Sequence, residues 1–460
     1  MNRVRGALRW LAGMAWSGCL VTCVAVAAAE RPTAYPLRVG SELEYEVRLG
    51  DWLNGPDGKP QIPRLPDGTP KYENSRLQVF VTAQHADGSF RLVMKRLSLA
   101  GHPLLTDARL FPDGRLEENP ETMPTLCEDG FRSIFPRLPP LDIAPQGTWR
   151  EEFARTGLQA VYHYDGEDIV GDISGPLDRV AEGRIQWRYR RKPSGWPARI
   201  EVQGYWKSYG ETRESLITLI REETHDAAWA ASLDAAATLY FQAQDQSRRK
   251  LGRENARANA LAVQSGQSPE RLLDEARTIL TSAAQRLQHP VVRQEMDLAI
   301  AQFDRYRPGR IQDLTGGSRQ INQPSPDWRA PDLEGRERSL SEFRGQVLVL
   351  DFWFRKCTYC IRAMPMVEQA ADHFRELRAP VTFCSICTDD DPADPRYVVD
   401  TLKIRMPVVR APEIADKYGI DRFPRILVID REGRLQWLFG GFSTTLREDL
   451  IAAIDQTLKP

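Results

Sequence analysis

The stretch that decides the fold of the C-terminal part of this chain reads Asp351-Phe352-Trp353-Phe354-Arg355-Lys356-Cys357-Thr358-Tyr359-Cys360. It follows a short branched apolar run, residues 346–350, which is typical of a strand buried on both faces. It precedes residues 361–377, where apolar side chains recur at helical spacing and predict an amphipathic helix. The two cysteines are therefore expected where a buried strand ends and a helix begins.

The predicted position of Cys357 at a helix N-terminus has a chemical consequence. A thiol there meets unpaired backbone N–H groups and the positive end of the helix dipole, which stabilise its thiolate. Arg355 and Lys356 add positive charge nearby. The first thiol of a Cys-x-x-Cys pair in such a setting has a pKa of roughly 3.5–7, against ~8.5 for a free cysteine. We therefore expect Cys357, the more exposed thiol, to attack a substrate disulfide and Cys360, one helical turn inward, to resolve the mixed disulfide.

Several further segments accompany this motif in a fixed order. They are Ala330-Pro331-Asp332-Leu333, Leu340-Ser341-Glu342-Phe343-Arg344-Gly345, Pro365 in the predicted helix, Arg422-Phe423-Pro424, Ile426-Leu427-Val428-Ile429-Asp430 and Glu432-Gly433. With them, the segment from about Gln320 to Pro460 resembles the TlpA/ResA-type thioredoxin-like family of extracytoplasmic thiol-disulfide oxidoreductases. The resemblance covers about a third of the chain. It implies a thioredoxin-like α/β fold and redox activity.

The resemblance also implies roles for individual residues. Asp351 stands at the spacing of the buried aspartate of thioredoxin, which implies that it exchanges a proton with Cys360. A carboxylate at the end of a buried strand would have a raised pKa, which suits that role. The alternative for Asp351 is an ion pair with a nearby base.

The family's proline loop implies a site for substrate. Pro424 is expected to be cis and to face the two sulfurs, and the backbone of Phe423 is expected to contact the substrate. Trp353 is expected to pack beneath the motif, with ordinary core packing as the alternative. The expected substrate-binding residues are Trp353, Lys356, Phe423 and Pro424.

Four features depart from the family pattern. Lys356 replaces the tryptophan common before the first cysteine, and Thr358-Tyr359 lacks the proline common between the cysteines. Ala363 replaces a glutamate of ResA-like relatives, and Arg425 follows the proline where threonine is usual in thioredoxin. These changes leave the redox potential and the direction of reaction open. The missing glutamate also weakens the hypothesis that the protein acts in cytochrome c maturation.

Sequence periodicity divides the chain into segments. Residues 30–225 alternate apolar and polar side chains between Asp-Gly turns, which predicts an all-β domain of unknown role. Residues 226–307 have helical spacing, and residues 308–326 have the Pro, Gly, Ser, Asn and Gln content of a linker. The predicted fold class is therefore multidomain, with an N-terminal all-β domain, a central α-helical segment and a C-terminal α/β thioredoxin-like fold in residues 327–460.

The helical segment carries signals for three helices. The first is expected within 227–263, and Ser268 is the predicted N-cap of the second. Pro290 separates the second helix from a third, which is expected to end near Tyr306. The apolar stripe of these helices could pack on the β-rich domain, on the redox domain or on a second subunit.

The N-terminus predicts export from the cytoplasm. Three arginines within the first nine residues precede the apolar run 10–26, and Ala27-Ala28-Ala29 fits the small-residue cleavage rule. We expect residues 1–29 to be a cleaved signal peptide, with lipidation at Cys23 or an uncleaved membrane anchor as alternatives. All three place the mature protein in the periplasm or otherwise outside the cytoplasm.

Signal removal would leave five cysteines, namely Cys127, Cys357, Cys360, Cys384 and Cys387. An odd number means that at least one thiol is free or pairs between molecules. The second Cys-x-x-Cys lies in the apolar run 381–387, which predicts a parallel strand. Residues three apart on a strand point to opposite faces, so Cys384 and Cys387 are expected to be buried free thiols. A relay role for Cys387 is the alternative.

These features predict an extracytoplasmic thiol-disulfide oxidoreductase that reduces or exchanges disulfides in client proteins. One alternative is an extracytoplasmic binding protein, in which the β-rich domain recognises a ligand. The thioredoxin-like domain would then serve only as a redox sensor or as a tether. Another is a thiol peroxidase-like antioxidant protein, although the Thr-x-x-Cys peroxidatic site is missing. The expected partners are client protein thiols and disulfides and a membrane-bound thiol electron donor, with a homodimer through the helical segment as a further alternative. The net charge of −1 argues against nucleic acid, and neither a cofactor nor a metal is expected.

Overall fold

The computed structural model describes most of the chain from residue 34 onward. The described residues are 34–53, 61–97, 105–118, 135–140, 147–153, 158–174, 185–206, 211–252, 256–391, 393–443 and 445–459. The predicted signal peptide and Cys127 lie outside the described residues.

A large antiparallel sheet occupies residues 41–224, as the alternating pattern predicted. Its strands are β1 (Ser41–Leu53), β2 (Glu73–Gln84), β3 (Phe90–Leu97), β4 (Leu105–Leu110), β5 (Leu116–Glu118), β6 (Trp149–Phe153), β7 (Leu158–Asp165), β8 (Asp168–Ser174), β9 (Ile185–Arg191), β10 (Pro197–Trp206) and β11 (Glu211–Thr224). The order across the sheet is β5-β4-β3-β2-β1-β11-β10-β9-β8-β7-β6. Two meanders therefore meet at one seam, where β1 pairs with β11 and Ser41 lies opposite Thr224.

Both faces of the central strand β1 are buried. Leu43, Tyr45 and Val47 point into the apolar core of the sheet. Glu42 and Glu44, on the opposite face, are also buried and form ion pairs with Arg221. The alternation of side chains along the strand thus separates an apolar core from a charged layer.

Four helices follow the sheet. They are α1 (Ala227–Leu251), α2 (Ala256–Gln264), α3 (Pro269–Arg286) and α4 (Pro290–Gln320). The prediction that Ser268 caps a helix is confirmed, because its hydroxyl accepts a hydrogen bond from the backbone N–H of Arg271 at 3.3 Å. Pro290 begins α4, where the N–H that proline lacks would have no intrahelical partner.

The helix that begins at Pro290 corrects one prediction. We expected it to end near Tyr306 and residues 308–326 to form a linker. Instead α4 continues through Pro308 to Gln320. The extension is stabilised by tertiary contacts, since Ile311 and Leu314 pack on the apolar core of the helices and Ser318 is buried. The predicted domain boundaries themselves stay predictions.

The helices pack on the sheet through an apolar layer. Phe80, Val93 and Leu105 from the sheet join side chains of α1, α3 and α4 in one buried cluster. An almost fully buried ion pair, Lys95 Nζ to Glu295 Oε1 at 3.2 Å, joins β3 to α4 in the same region. A buried charge pair of this kind adds little net stability, because the desolvation of both charges offsets most of their attraction.

The C-terminal α/β region contains a five-stranded sheet in the order β16-β15-β14-β17-β18. Its strands are β14 (Val347–Trp353), β15 (Val381–Cys387), β16 (Val408–Arg410), β17 (Arg425–Ile429) and β18 (Leu435–Gly440), preceded by the hairpin β12 (Arg329–Pro331) and β13 (Glu337–Ser339) and by a 3₁₀ helix, Leu340–Phe343. Its helices are α5 (Thr358–Glu376), α6 (Ala393–Leu402), α7 (Pro412–Lys417) and α8 (Leu446–Leu458). β14, β15 and β16 are parallel, whereas β17 and β18 are antiparallel to their neighbours.

The five-stranded sheet is covered on both faces. Helices α5, α6 and α8 pack on one face. The 3₁₀ helix and α7 pack on the other, together with Ala260 of α2. Among the helices in the described ranges, none is both long enough and apolar enough to cross a membrane.

Candidate functional site

The two cysteines lie where β14 ends and α5 begins, as the sequence predicted. Cys357 is the N-cap of α5, and its Sγ accepts a hydrogen bond from the backbone N–H of Cys360 at 3.2 Å. Its carbonyl oxygen accepts a hydrogen bond from Ile361 N at 3.1 Å. The sulfur of Cys357 therefore occupies the position at which a helix N-terminus stabilises negative charge.

Cys357 and Cys360 are joined by a disulfide with an S–S distance of 2.04 Å. Cys357 is 9% exposed and Cys360 is 1% exposed. Because an attacking sulfur must approach along the S–S axis, the more exposed Cys357 is the sulfur that a thiolate from outside can reach.

Asp351 is buried beside this junction. Alternation along β14 places its side chain on the same face as Val349 and Trp353, which is the face that α5 covers. Neither carboxylate oxygen has a hydrogen-bond partner among the described residues. Burial raises the pKa of Asp351 to about 7, so this carboxyl can hold or release a proton near neutral pH.

Trp353 lies in the same buried cluster as the two cysteines. It is fully buried, and its indole N–H donates to Ser385 Oγ on β15 at 2.6 Å. A hydrogen bond inside an apolar core fixes the ring orientation. Trp353 is thus a buried side chain in the core beneath the motif, and contact of another molecule with it would require movement of that core.

Arg355 and Lys356 are exposed on the turn before Cys357. The Arg355 side chain forms an ion pair with Asp394, and its guanidinium carbon lies 4.4 Å from the ring centroid of Tyr397. Its backbone N–H donates to Asp389 Oδ2 at 2.6 Å. These contacts direct the positive charge of Arg355 towards α6.

The proline loop carries two of the predicted substrate-binding residues. The Phe423–Pro424 peptide bond is cis, the isomer expected for this loop. The ring of Phe423 packs edge-on against Phe354, with centroids 5.3 Å apart. The Pro424 carbonyl accepts a hydrogen bond from Gly441 N at 3.0 Å. Within the ranges that the structure describes, the backbone N–H and C=O of Phe423 make no backbone hydrogen bond, so both groups are available to another chain.

The segment that carries this site also matches a known protein family. Residues 321–438, which include both cysteines and the proline loop, match the AhpC/TSA family. The C-terminal third of the chain is an AhpC/TSA-type thioredoxin-like domain.

Curated relatives of this thioredoxin-like domain carry redox names. The thiol-disulfide oxidoreductase ResA of Geobacillus thermodenitrificans is 25% identical over 142 residues, which are 30% of this chain and 79% of that protein. The thioredoxin-like protein YneN of Bacillus subtilis is 25% identical over 126 residues, which are 27% of this chain and 74% of that protein. These relatives support a thiol-disulfide oxidoreductase-type activity at a general level.

A solved structure is also similar to this region. The thioredoxin domain of a thiol-disulfide oxidoreductase from Bacteroides vulgatus is 23% identical and covers 30% of this chain and 98% of that domain, with a TM-score of 0.27.

The second Cys-x-x-Cys of the thioredoxin-like domain lies on β15, and both thiols are free and buried. Cys384 belongs to the core on one face of the sheet and Cys387 to the core on the other, as the strand prediction required. Burial raises the pKa of Cys384 to about 12 and also raises the pKa of Cys387. Both are therefore protonated at neutral pH, and the relay role for Cys387 stays a prediction.

Nothing in the sequence singles out Asp389 or Ser385 as functional residues. Asp389 accepts hydrogen bonds from Arg355 N and, at 3.2 Å, from the Cys387 thiol, and Ser385 accepts from Trp353. Ser385 lies on β15, beside the strand that precedes the motif, and Asp389 follows β15, so both reach the motif only through strand pairing and no local sequence signal identifies them.

One cluster within the described ranges has donor atoms close enough for a metal ion, namely Glu42, Glu223 and His225. It lies on the N-terminal sheet rather than in the thioredoxin-like domain. Arg221 forms ion pairs with both Glu42 and Glu223. Because that guanidinium already supplies positive charge, we assign no metal to this cluster.

Proposed function

We propose that this protein is an extracytoplasmic thiol-disulfide oxidoreductase that reduces or exchanges disulfides in client proteins. The observation that carries the proposal is the Cys357–Cys360 pair, whose outer sulfur caps α5 and whose strand carries a buried carboxyl with a pKa of about 7. The predicted catalytic residues are Cys357, Cys360 and Asp351.

The first chemical step uses the reduced pair. The Cys357 thiolate attacks one sulfur of a client disulfide, forms a mixed disulfide and releases the other client sulfur as a thiolate. The N-terminus of α5 stabilises the attacking thiolate through the N–H of Cys360, which is 3.2 Å from Cys357 Sγ. A hydrogen bond of this kind favours the charged form of a thiol.

The second step releases the client. Cys360 loses its proton to Asp351 and attacks Cys357 Sγ, which restores the intramolecular disulfide and expels the second client thiolate. The client disulfide has then gained two electrons and the Cys357–Cys360 pair has lost two. A membrane-bound thiol donor is the proposed source of the electrons that restore the reduced pair.

The backbone of Phe423 provides a docking position for the client. Its unpaired N–H and C=O suit an extended client segment that adds alongside the loop, as in other strand-addition interfaces. The partly buried rings of Phe354 and Phe423 lie next to this position and offer an apolar contact. Lys356, exposed before Cys357, is placed to contact a client's polar groups.

The extracytoplasmic part of the proposal is supported by the arginines, apolar run and alanine triplet of residues 1–29. N-terminal sequencing of the exported protein tests it. A mature chain that begins at Glu30 is expected, whereas an intact N-terminus on a cytoplasmic protein would refute this part alone.

The activity is tested by insulin reduction with dithiothreitol as the electron source. We expect the wild type to accelerate insulin precipitation and Cys357→Ala to abolish the acceleration. Cys384→Ala removes a buried free thiol from the same domain and is the matched control, which should keep most of the activity. Equal rates for the wild type and Cys357→Ala would refute the proposal.

The same assay separates the alternatives. A binding protein with a redox-sensing or tethering domain would not accelerate the reduction of insulin by dithiothreitol. A thiol peroxidase-like protein would consume hydrogen peroxide in a manner that depends on Cys357.

A further inference from the structure

The C-terminal half of α4 reaches the proline loop of the thioredoxin-like domain. The carboxylate of Asp313 on this helix accepts a hydrogen bond from Arg425 Nη2 at 2.7 Å. The same carboxylate lies 3.4 Å from Arg422 Nη1, and Gln312 Oε1 accepts from Arg422 Nη2 at 2.9 Å. One helical turn thus contacts two arginines of the loop.

These arginines stand on either side of the Phe423–Pro424 dipeptide. Arg422 precedes it, and Arg425 begins β17 directly after it. The Arg425 side chain is 12% exposed, so its ion pair with Asp313 is screened less by solvent than that of Arg422, which is 44% exposed. The two contacts together restrain both ends of the dipeptide.

Two glycines leave room for these guanidinium groups. A Cβ on Gly440, opposite Arg425 in the β17–β18 ladder, would lie 2.3 Å from Arg425 Nη1. A Cβ on Gly309, in the interior of α4, would lie 3.3 Å from Arg422 Nη1. Glycine is unfavourable in the middle of a helix, so the room that Gly309 leaves for Arg422 is a packing feature of this contact.

We propose that Asp313 is a positioning residue, which holds the proline loop so that the backbone of Phe423 is presented to a client in a fixed place. The proposal rests on the function proposed above and adds that part of the client site is set from outside the thioredoxin-like fold. Asp313 itself does not touch the reacting sulfurs. Its effect is confined to substrates that use the loop.

This restriction gives the proposal a specific kinetic signature. A protein disulfide needs both the sulfur of Cys357 and the loop backbone, whereas a small aromatic disulfide such as 5,5′-dithiobis(2-nitrobenzoate) needs only the sulfur. Loss of the Asp313 carboxylate should therefore raise KM for insulin and leave the rate with the small disulfide unchanged. Since partly exposed ion pairs are weak, the expected fall in kcat/KM for insulin is about threefold to tenfold.

The test compares Asp313→Asn with Asp304→Asn in the full-length protein. Asp304 also lies on α4 and pairs with an arginine, Arg277 of α3, at 2.7 Å, but this contact does not involve the loop. Insulin kinetics, the small-disulfide rate and hydrogen exchange of residues 420–426 are measured for both variants. We expect the insulin KM and the loop exchange rate to rise in Asp313→Asn and to match the wild type in Asp304→Asn.

Two results would overturn the proposal. One is a parallel loss with both substrates, which would mean that Asp313 acts on folding alone. The other is the same behaviour in both variants. If the wild type reduces neither substrate, the proposed function fails instead, and the exchange rate of residues 420–426 still decides whether Asp313 restrains the loop.

Discussion

Asp351 is a carboxyl group whose surroundings favour its neutral form. It is 2% exposed, its oxygens have no partner among the described residues, and burial raises its pKa from 3.8 to about 7. The folded protein therefore binds this proton more tightly than the unfolded chain does. The contribution of Asp351 to the free energy of unfolding is fully present below pH 4 and is lost as the pH rises to about 7. In this range the carboxyl ionises in the unfolded chain but stays protonated in the folded protein.

We predict that Asp351→Asn removes this dependence. Because one pKa unit is worth about 1.4 kcal/mol, the wild type should lose roughly 2–4 kcal/mol of unfolding free energy between pH 4 and pH 8 that the variant retains. Urea unfolding of the oxidised protein at a series of pH values measures the difference. Parallel pH profiles for the two proteins would contradict the prediction.

The same residue illustrates what the sequence could reveal about the site. Local periodicity predicts the strand and the helix. The spacing of Asp351, Cys357 and Cys360 can be read directly from the sequence. The side chains that contact the motif could not be predicted, since Ser385 and Asp389 approach it only through the pairing of β14 with β15. Local sequence carries no record of which side chain a neighbouring strand will bring.

Helix α4 shows how tertiary contacts override local signals. Pro308, Gly309 and Gly316-Gly317 are helix-breaking residues, and they led us to predict a linker. The helix continues because its second half is held at several points, including the pairing of Asp313 with the proline loop. Those partners lie more than a hundred positions away along the chain, so no local pattern could have predicted them.

We predict that Pro308→Ala stabilises the protein. Alanine restores the N–H that would donate to the carbonyl of Asp304, and its helix propensity is better than that of proline by about 3 kcal/mol. The unfolded chain also gains freedom, which offsets about 0.4–1 kcal/mol of this, so a net gain of about 2 kcal/mol is expected in urea unfolding.

Pro290→Ala is the matched control for this prediction. Pro290 occupies the first turn of α4, where no intrahelical hydrogen bond is lost. This substitution should leave stability unchanged or lower it slightly. A loss of stability in Pro308→Ala would indicate that the contacts of α4 depend on the conformation that the proline imposes.

The three parts of the protein are joined by two different kinds of contact. The N-terminal sheet meets the helices through apolar side chains and the buried Lys95–Glu295 pair. The helices meet the thioredoxin-like domain through a smaller apolar contact at Ala260 and through polar pairs. Examples of these pairs are Arg257 with Gln436 at 2.7 Å and Asp313 with Arg425.

High salt should therefore weaken the contact between the helices and the thioredoxin-like domain and leave the contact between the N-terminal sheet and the helices unchanged. Exposed ion pairs are screened at 1 M salt, where the Debye length is about 3 Å, whereas buried pairs are screened much less. We predict faster hydrogen exchange in the second half of α4 and in the proline loop, which Asp313 joins by ion pairs, at 1 M than at 0.1 M sodium chloride. Exchange in α1 and β3 should stay constant. Faster exchange in α1 and β3 alone would contradict this assignment of the two contacts.

The overall arrangement was predictable in outline only. The alternating and helical periodicities of the sequence predict a β-rich part, then a helical part and then an α/β part. The structure has these parts in the same order. The order of strands within the large sheet was not predictable, since each meander pairs neighbours and nothing local indicates that β1 and β11 adjoin. The packing of α2 against the thioredoxin-like domain was one of three alternatives that the apolar stripe left open.

The seam between β1 and β11 also governs the order of events during synthesis. The ribosome delivers β1 first among the eleven strands and β11 last, while each strand of the two meanders can pair with its predecessor as it emerges. Until residues 211–224 have left the exit tunnel, the 13-residue strand β1 keeps one edge open, with its amide and carbonyl groups ready to pair with another nascent chain. Aggregation during translation is therefore greatest before the last strand arrives, and a stalled or truncated chain would need a chaperone to shield that edge.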